Sequence, residues 1–359
     1  MERVLVLPVI AVIAMLLSGI TQLSAMGLSA LPLAIVLGMI YGHVRPWLFS
    51  QPTGFGLTVA HQDQGSPDQE GLSLRATRFC QQQLLRWGII LFGFNLSFQQ
   101  VLAVGWKAVI LDMIVITVIL VAGTLIGVKW FKLHRDLALL ISAGSAICGA
   151  AAVLAAESVV KPKEEHVTVA IATVVLFGTL AMFSYPIIYH GVVTTQHLMT
   201  EQQFGIYIGS TVHEVAQAVA AGESIGSEAL QNAVVVKLIR VMMLAPVMLI
   251  IASWMASKTK AAAQKGEAEE EGGKITIPWF ILGFIAAVGV NSIAVLPELA
   301  HQSISFVSQL FLALAMAALG MQTHVNTLRK AGIKPMLLAL ILFVLLMGGG
   351  FYLNAWLIG

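Results

Sequence analysis

The sequence has few charged residues. Asp, Glu, Lys and Arg make up 11% of its 359 residues, whereas an average soluble domain carries about 25%. A chain of this length cannot cover a water-facing surface with half the usual charge. Its formal net charge is only +2, so no basic field indicates binding to nucleic acid. The scarcity of charge excludes a large soluble domain and makes lipid the expected surroundings of most side chains.

Cysteine is also scarce, and two catalytic motifs are missing. Cys80 and Cys148 are too few for a disulfide framework and do not form a CxxC pair. No P-loop pattern GxxxxGK[ST] occurs, which argues against ATP-driven pumping by this chain. The run HEVAQ departs from the zinc-protease pattern HExxH, because Gln217 stands where the second histidine should be. We therefore predict no enzyme activity, no metal and no cofactor.

Apolar runs fill most of the chain. Hydrophobic residues make up 58% of the sequence, and the mean hydropathy is +0.88. A helix needs about 20 mostly apolar residues to cross a bilayer, so we predict an all-α, polytopic membrane helix bundle. The polar stretches 45–83 and 257–275 are too short to be domains, which leaves residues 1–359 as a single transmembrane domain. The eleven candidate segments are 4–20, 27–44, 84–103, 107–128, 137–157, 166–190, 203–222, 230–256, 277–294, 301–320 and 335–357.

Lysine and arginine in short loops mark the cytoplasmic side of a membrane protein. If all eleven segments cross the membrane, the basic loop at 161–163 falls outside and the uncharged loop at 190–202 falls inside. Both conflicts disappear if segments 137–160 and 203–228 each enter and leave by the same face. The charges therefore favour nine full spans plus two interrupted or re-entrant segments, with the N-terminus cytoplasmic and the C-terminus external.

The same two segments resemble each other in sequence. The first reads SAGSAICGAAAVLAAES and the second IGSTVHEVAQAVAAGES, and aligning Gly144 with Gly209 gives an offset of 65. If they enter from opposite faces they form an inverted pair. Inverted repeats with interrupted helices are typical of secondary transporters. The alternative is that runs of small residues look alike in any bilayer helix.

A second similarity links residues 84–111 with residues 310–340. The segments LFGFNLS and AALGMQT put Asn95 and Gln322 at matching positions. An odd number of crossings between them would again invert their orientation. We predict that both amides line the substrate cavity.

Small residues crowd the first interrupted segment. Glycine lets a helix unwind, and small side chains let backbones approach closely. Backbone N–H groups freed at such a break could hold an anion, helped by the helix dipole. Close helix packing explains the small residues equally well. The candidates for substrate binding here are Ser142, Gly144, Ser145, Cys148 and Gly149.

An imidazole, a carboxylate and an amide stand in the second interrupted segment. His213 and Gln217 are four residues apart and share a helix face, with Glu214 beside it. Ionisable groups at membrane depth are costly and normally face a cavity or a partner. We predict that these three residues bind substrate together with Ser210 and Thr211, and that His213 or Glu214 exchanges a coupling proton. A hydrogen-bonded pair that fixes packing is the alternative.

Two cations stand three residues apart within the eighth segment. Lys237 and Arg240 could present positive charge to an anionic substrate, pair with Glu214 or Glu223, or extend to the membrane interface. We count both as substrate-binding candidates. Asp112 lies near the start of its predicted segment and is interpreted as an interfacial residue outside the site.

The motifs GSAICGAAAVLA and GSTVHEVAQAVAAG together closely resemble those of the YeiH-type sulfate exporter family of bacterial inner-membrane proteins. The likeness runs from about residue 27 to the C-terminus, and the long stretch 50–83 departs from the family pattern. The resemblance implies a secondary transporter, and export of sulfate or a related sulfur oxyanion is suggested for the family mainly from genomic association. Carried over to this chain, the motif positions are Ser145, Cys148, Gly149, Ser210, His213, Glu214 and Gln217.

Residues and resemblance together predict a secondary active transporter of a small anion, with substrate bound between the two interrupted segments. The coupling ion is expected to be a proton or sodium. Two alternatives stay open, namely a cation/proton antiporter in which Glu214 exchanges the ion, and a passive anion channel. The expected partners are the anion and the lipid bilayer, with a homo-oligomer as a further option.

Overall fold

The computed structural model describes residues 2–19, 29–48, 79–263, 279–293, 296–322 and 332–358. These residues form helices and no strand, which confirms the all-α prediction. A π-turn precedes α3, and others follow α7 and α14. The α-helices are α1 (Glu2–Ser18), α2 (Ala30–Leu48), α3 (Leu85–Phe92), α4 (Phe98–Lys129), α5 (Arg135–Ala146), α6 (Ala150–Val160), α7 (Glu164–Ile188), α8 (Glu201–Thr211), α9 (Val215–Glu223), α10 (Ser227–Met242), α11 (Leu244–Ala263), α12 (Trp279–Ile293), α13 (Glu298–Gln322), α14 (Ile333–Val344) and α15 (Gly350–Leu357).

Five helical stretches among the described residues are long and apolar enough to cross a membrane. Large apolar side chains on the helices are exposed, for example Ile293 at 86% and Trp356 at 76%. Exposure of so much apolar area to water is unfavourable, so lipid must cover it. These features confirm the polytopic membrane bundle, while the count of nine spans stays a prediction. The five stretches are Val104–Lys129, Glu164–Val193, Ser227–Ser253, Glu298–Met321 and Ile333–Leu357.

Several boundaries differ from the prediction. The helical stretch predicted at 84–103 ends at Asn95, and residues from Phe98 onward belong to α4. Helix α2 runs through Leu48 and α11 through Ala263, so both extend into stretches predicted to be polar loops. Lysine and alanine have high helix propensity, which accounts for the extension of α11 through its KTKAAA run. The remaining parts of these predicted loops, residues 49–78 and 264–275, lie outside the described residues.

The chain divides into two compact units. The first unit contains α1 to α3, most of α12, and α13. The second contains α4 to α11, the start of α12, α14 and α15, and it holds both segments predicted to be interrupted. A single transmembrane domain stays a prediction. The units are Met1–Ser97 with Gly283–His324, and Phe98–Leu282 with Val325–Gly359.

Both segments predicted to be interrupted are broken into two helices. The first hairpin consists of α5, residues 147–149 and α6, and the second consists of α8, residues 212–214 and α9. The two breaks are 65 residues apart, which is the offset at which the two sequences align. Sequence similarity therefore coincides with a shared local structure.

The two ends of the second hairpin lie together. The Glu201 carboxylate, at the start of α8, accepts hydrogen bonds from the backbone N–H groups of Glu228 (2.9 Å) and Ala229 (3.1 Å). A Cβ on Gly222, near the end of α9, would stand 2.8 Å from the Cα of Leu230. A continuous helix over residues 201–223 would separate its ends by roughly 34 Å. Because both ends meet the first turn of α10, the chain enters and leaves at the same end of the bundle.

The first hairpin has the same property. The rings of His134, just before α5, and His166, in the first turn of α7, have centroids 5.1 Å apart. A continuous helix over residues 135–160 would span roughly 39 Å, so these rings would stand on opposite sides of a membrane. The first hairpin is therefore re-entrant as well.

Helix α7 relates the two hairpins to each other. Its first turn adjoins the ends of the first hairpin through His166. The turn that follows its last residue adjoins the ends of the second hairpin, because His190 Nε2 lies 3.3 Å from the carbonyl oxygen of Ser224. Since α7 belongs to a stretch long enough to cross a membrane, the two hairpins enter the bundle from opposite ends. An inverted sequence repeat stays a prediction.

The two short hairpin connections should label from opposite faces of the membrane. In a chain with Cys80 and Cys148 replaced by alanine, Lys163→Cys and Ser227→Cys each introduce one thiol at an exposed position next to a hairpin. A membrane-impermeant maleimide should label one variant from outside intact cells and the other only in inverted vesicles. Labelling of both variants from the same face would contradict the opposite arrangement of the hairpins.

The second sequence similarity coincides with a shared glycine conformation. Gly105 has φ 74° and ψ 174°, and Gly332 has φ 79° and ψ 162°. These two glycines are 227 residues apart, the same spacing as Asn95 and Gln322. Each stands where a long apolar helical stretch begins, and the left-handed backbone there favours glycine. The correspondence supports the alignment of 84–111 with 310–340 without determining their relative orientation.

Candidate functional site

The broken ends of the two hairpins meet at the middle of α7. A Cβ on Gly144 would stand 2.7 Å from Val174 Cγ2, close to the end of α5. From α9, Gln217 Nε2 reaches the carbonyl oxygen of Val175 (3.4 Å) and Thr179 Oγ1 (3.5 Å). Each break leaves the last carbonyl groups of one helix and the first N–H groups of the next without partners inside their helix. Four helix ends therefore converge at about half the length of α7.

Gly149 enables the first break. It is the residue before α6, with φ 71° and ψ −136°, a backbone conformation that residues with a side chain rarely adopt. A Cβ at this position would also collide with the Cγ of Glu214. The glycine thus serves the local turn of the first hairpin and leaves room for the second.

Two buried cations on α10 bind the carbonyl ends of both hairpins. Arg240 donates from Nε to Ala146 O and from Nη2 to Ser145 O, both at 2.8 Å, and from Nη1 to Ser210 O. Both Arg240 and Lys237 are fully buried. The carbonyl end of a helix carries partial negative charge, so these cations stabilise two such ends that lie close together.

Lys237 completes this arrangement. Its Nζ donates to the carbonyl oxygens of Val212 and, at 3.4 Å, Ile147, which are the first residues of the two breaks. Both cations of α10 therefore reach the breaks of the two hairpins. All the hydrogen bonds that the structure gives these two side chains end on backbone carbonyls, and contact with an anionic substrate stays a prediction.

Glu214 joins the N–H ends of the two hairpins. It precedes the first residue of α9, and its Oε1 accepts a hydrogen bond of 3.3 Å from the N–H of Ala150, the first residue of α6. Its own N–H donates to Gln217 Oε1 at 3.2 Å. Helix N-termini carry partial positive charge and attract anions. A carboxylate thus occupies a position at which two such ends come together, and part of its surface is exposed.

The buried polar side chains near the breaks fall into two groups, those with a hydrogen-bond partner and those without one. Ser142, Ser210 and Thr211 donate to backbone carbonyls of their own helices, which satisfies them locally. Among the described residues, neither Ser145 Oγ nor His213 Nδ1 has a hydrogen-bond partner, although both are buried. Ser145 Oγ and His213 Nδ1 are therefore buried polar atoms at or beside the breaks whose hydrogen-bonding capacity is unused. Cys148 is a buried free thiol.

Asn95 and Gln322 belong to the first unit. Asn95 Oδ1 accepts a hydrogen bond of 2.6 Å from Ser305 Oγ, which lies on α13. Gln322 is the last residue of α13, and its side chain lies outside the described residues. Their part in a shared substrate cavity stays a prediction.

Asp112 is the buried acid that the sequence reasoning left out of the site. It is 0% exposed, and within the described part of the chain neither of its carboxylate oxygens has a hydrogen-bond partner. It interacts electrostatically with Arg240 and Lys237. Its complete burial shows that Asp112 is not at an exposed interface, even though the apolar stretch that contains it begins only at Val104. The sequence feature that could have indicated this burial is a single acidic residue within a long apolar run, because ionisable groups at membrane depth normally face a cavity or a partner.

Apolar helices that require lipid, together with two re-entrant hairpins that meet around buried charges, define a polytopic membrane protein with an interrupted-helix core. Residues 66–339 match the sequence profile of a family described as "Conserved hypothetical protein 698", and the chain belongs to this family. No solved structure matches the chain.

Named relatives agree with this assignment. The UPF0324 inner membrane protein YeiH of Escherichia coli (strain K12) is 43% identical over 94% of this chain and 88% of its own length. A UPF0324 membrane protein of Pseudomonas aeruginosa is 42% identical over 95% of this chain and 90% of its own length. A UPF0324 membrane protein of Yersinia pestis is 43% identical over 92% of this chain and 85% of its own length. The resemblance to YeiH proteins noted from the two motifs is thereby confirmed.

Proposed function

We propose that this chain is a secondary active transporter that exports a small anion, namely sulfate or a related sulfur oxyanion, across the bacterial inner membrane. The observation that carries the proposal is the carboxylate of Glu214 at the paired N-termini of α6 and α9. A carboxylate shares negative charge and acceptor oxygens with the proposed substrate, although sulfate carries one negative charge more. Its position therefore marks where an oxyanion would find backbone donors.

Interrupted helices support transport as the activity. Backbone groups without partners are costly inside a bilayer and are tolerated where they are buried in protein or line a water-filled cavity. Secondary transporters use such half-helices near the middle of the membrane to bind substrate and coupling ions. Two re-entrant hairpins that enter from opposite ends bring broken helix ends from each face of the membrane to the same central point.

The charges near the breaks support an anion and a coupling proton. Two basic side chains, Lys237 and Arg240, and two acidic ones, Asp112 and Glu214, share this region, so their charges cancel when all four are ionised. A bound oxyanion adds negative charge to a buried region, and this is costly unless a positive charge accompanies it. Protonation of Glu214 would remove the competing carboxylate and keep the region close to neutral. Sodium is the second candidate for the coupling ion.

The inner-membrane location and the orientation are part of the proposal. The relatives in Escherichia coli and Salmonella are named inner membrane proteins. The basic loops favour a cytoplasmic N-terminus and an external C-terminus by the positive-inside rule. We also propose that the chain acts as a transporter without enzyme activity, alone or as a homo-oligomer.

Uptake into liposomes tests the function. Purified chain is reconstituted, and radiolabelled sulfate, sulfite and small organic anions are offered with and without a pH gradient. The proposal expects accumulation of at least one oxyanion that depends on the gradient and is absent from protein-free liposomes. Proton exchange for sodium without any anion would instead identify an antiporter that uses Glu214. Anion flux that only equilibrates and never accumulates would identify a channel.

A further inference from the structure

Three side chains of metal-binding type meet where the first hairpin joins α7. They are His134, Asp136 and His166, and one ligand atom from each lies within 4.8 Å of the other two. His134 Nδ1 and Asp136 Oδ2 are 3.2 Å apart. None of the three belongs to the hairpin breaks or to the motif residues of the proposed transport site. The cluster therefore needs an explanation of its own.

The starts of two helices hold these side chains. His134 immediately precedes α5 and Asp136 lies in its first turn, while His166 lies in the first turn of α7. The N–H of His166 donates to Lys163 O at 2.9 Å, and the carbonyl of His134 accepts from the N–H of Ala138 at 3.0 Å. Both backbones are therefore fixed by their own helices. The cluster does not depend on a flexible loop to bring its members together.

Local hydrogen bonding explains only part of the cluster. A contact between His134 and Asp136 is a common way to orient an exposed imidazole, and it accounts for two of the three residues. It does not account for His166, whose Nδ1 is shielded from solvent and has no hydrogen-bond partner among the described residues. Shielding a polar atom without a partner is unfavourable. A ligand on that nitrogen would remove the cost.

Two imidazoles and one carboxylate match the preferences of zinc. Zinc accepts three protein ligands of this kind and leaves a fourth tetrahedral position for water. Tetrahedral ligand atoms at zinc stand roughly 3.3 Å apart, given bonds of about 2.0–2.1 Å, so atoms that already lie within 4.8 Å of one another need to approach by at most about 1.5 Å. The His134 side chain is 62% exposed, which gives an ion access from solvent.

We propose that His134, Asp136 and His166 form a binding site for a divalent transition-metal ion, with Zn²⁺ as the best fit. The ion would tie the start of α5 to the start of α7 and so fasten the first hairpin at its open end. Of the neighbouring cations, Lys132, Lys161 and Lys163 are exposed and Arg135 is partly exposed, so water and salt screen part of their repulsion of the ion. This proposal does not depend on the identity of the transported substrate.

Cobalt titration tests the site directly. Full-length chain without a histidine tag is purified in detergent, stripped with chelator and titrated with Co²⁺, whose visible absorption reports tetrahedral coordination. We expect one Co²⁺ per chain, displaced by one Zn²⁺. His166→Ala and Asp136→Asn should each weaken binding at least about 100-fold, since loss of a ligand should exceed the 10–100-fold effect of losing a supporting group. The matched control His197→Ala removes an exposed histidine outside the cluster and should leave binding unchanged.

A thermal measurement keeps the test decisive if one variant folds poorly. Zn²⁺ should raise the melting temperature of the parent chain and of His197→Ala, and should not raise that of any folded cluster variant, with His166→Gln as the conservative alternative to His166→Ala. Parent-like Co²⁺ affinity in a folded cluster variant would overturn the proposal. So would the absence of a stoichiometric site in the parent chain. Neither result would bear on anion transport.

Discussion

Replacing Arg240 with alanine is expected to destabilise the protein by about 3–5 kcal/mol, the cost typical of breaking a buried charged network. The guanidinium is fully buried and donates to Ala146 O, Ser145 O and Ser210 O. Alanine would leave these carbonyls without their donor in a region that water cannot easily enter. It would also leave the negative ends of α5 and α8 opposed with only Lys237 between them.

Thermal unfolding of detergent-solubilised protein measures this effect. Arg240→Lys should retain part of the stability, because a lysine keeps the charge and cannot reproduce three donors in one plane. Arg86→Ala is the matched control, since Arg86 is partly exposed and its removal should shift the melting temperature little. Parent-like melting of Arg240→Ala would mean that the two hairpins do not rely on this cation.

The breaks in the two hairpins could be predicted from the sequence. Small residues such as Gly149 permit a helix to unwind, and the basic loop at 161–163 required the chain to return to the face it had left. The first signal is local in the sequence, and the second depends only on the order of the loops along the chain. The structure agrees, because His134 lies beside His166 across the first hairpin.

The partners of the charged residues could not be predicted in the same way. Arg240 bonds to carbonyls 94 and 95 positions earlier in the chain, and nothing in the spacing of Lys237 and Arg240 indicates that carbonyls would take the place of a substrate. Asp112 was misjudged because its position near the start of an apolar run suggested an exposed interface, whereas its side chain is fully buried. Its burial depends on which helices surround it, and a linear pattern does not contain that information.

The second large effect is expected when Glu214, the proposed proton-exchanging residue, is replaced. Glu214→Gln is expected to lose pH-gradient-driven accumulation of the oxyanion, down to the level of protein-free liposomes. Glutamine has nearly the same shape, and its amide oxygen can still accept the hydrogen bond from the N–H of Ala150. It cannot gain or lose a proton, so movement of the anion could no longer be coupled to a proton. Fold and hairpin contacts should persist, because the side-chain volume hardly changes.

Glu214→Gln should retain binding and exchange of the oxyanion although it loses accumulation. Without a negative charge at the N-termini of α6 and α9, the oxyanion no longer competes with a carboxylate, so its affinity should stay equal or increase. Counterflow exchange of labelled for unlabelled anion at equal pH should therefore continue. The matched control Glu228→Gln changes an exposed carboxylate in the first turn of α10 and should transport like the parent.

The combination of lost accumulation and retained exchange distinguishes coupling from binding. If Glu214→Gln still accumulates the anion, the coupling ion binds elsewhere, and buried Asp112 becomes the next carboxylate to test. If exchange disappears together with accumulation in a variant whose melting temperature is unchanged, Glu214 is needed to bind the substrate itself. Its carboxylate would then not be a stand-in for the anion, and the position between the two helix N-termini would have to be abandoned as the oxyanion site.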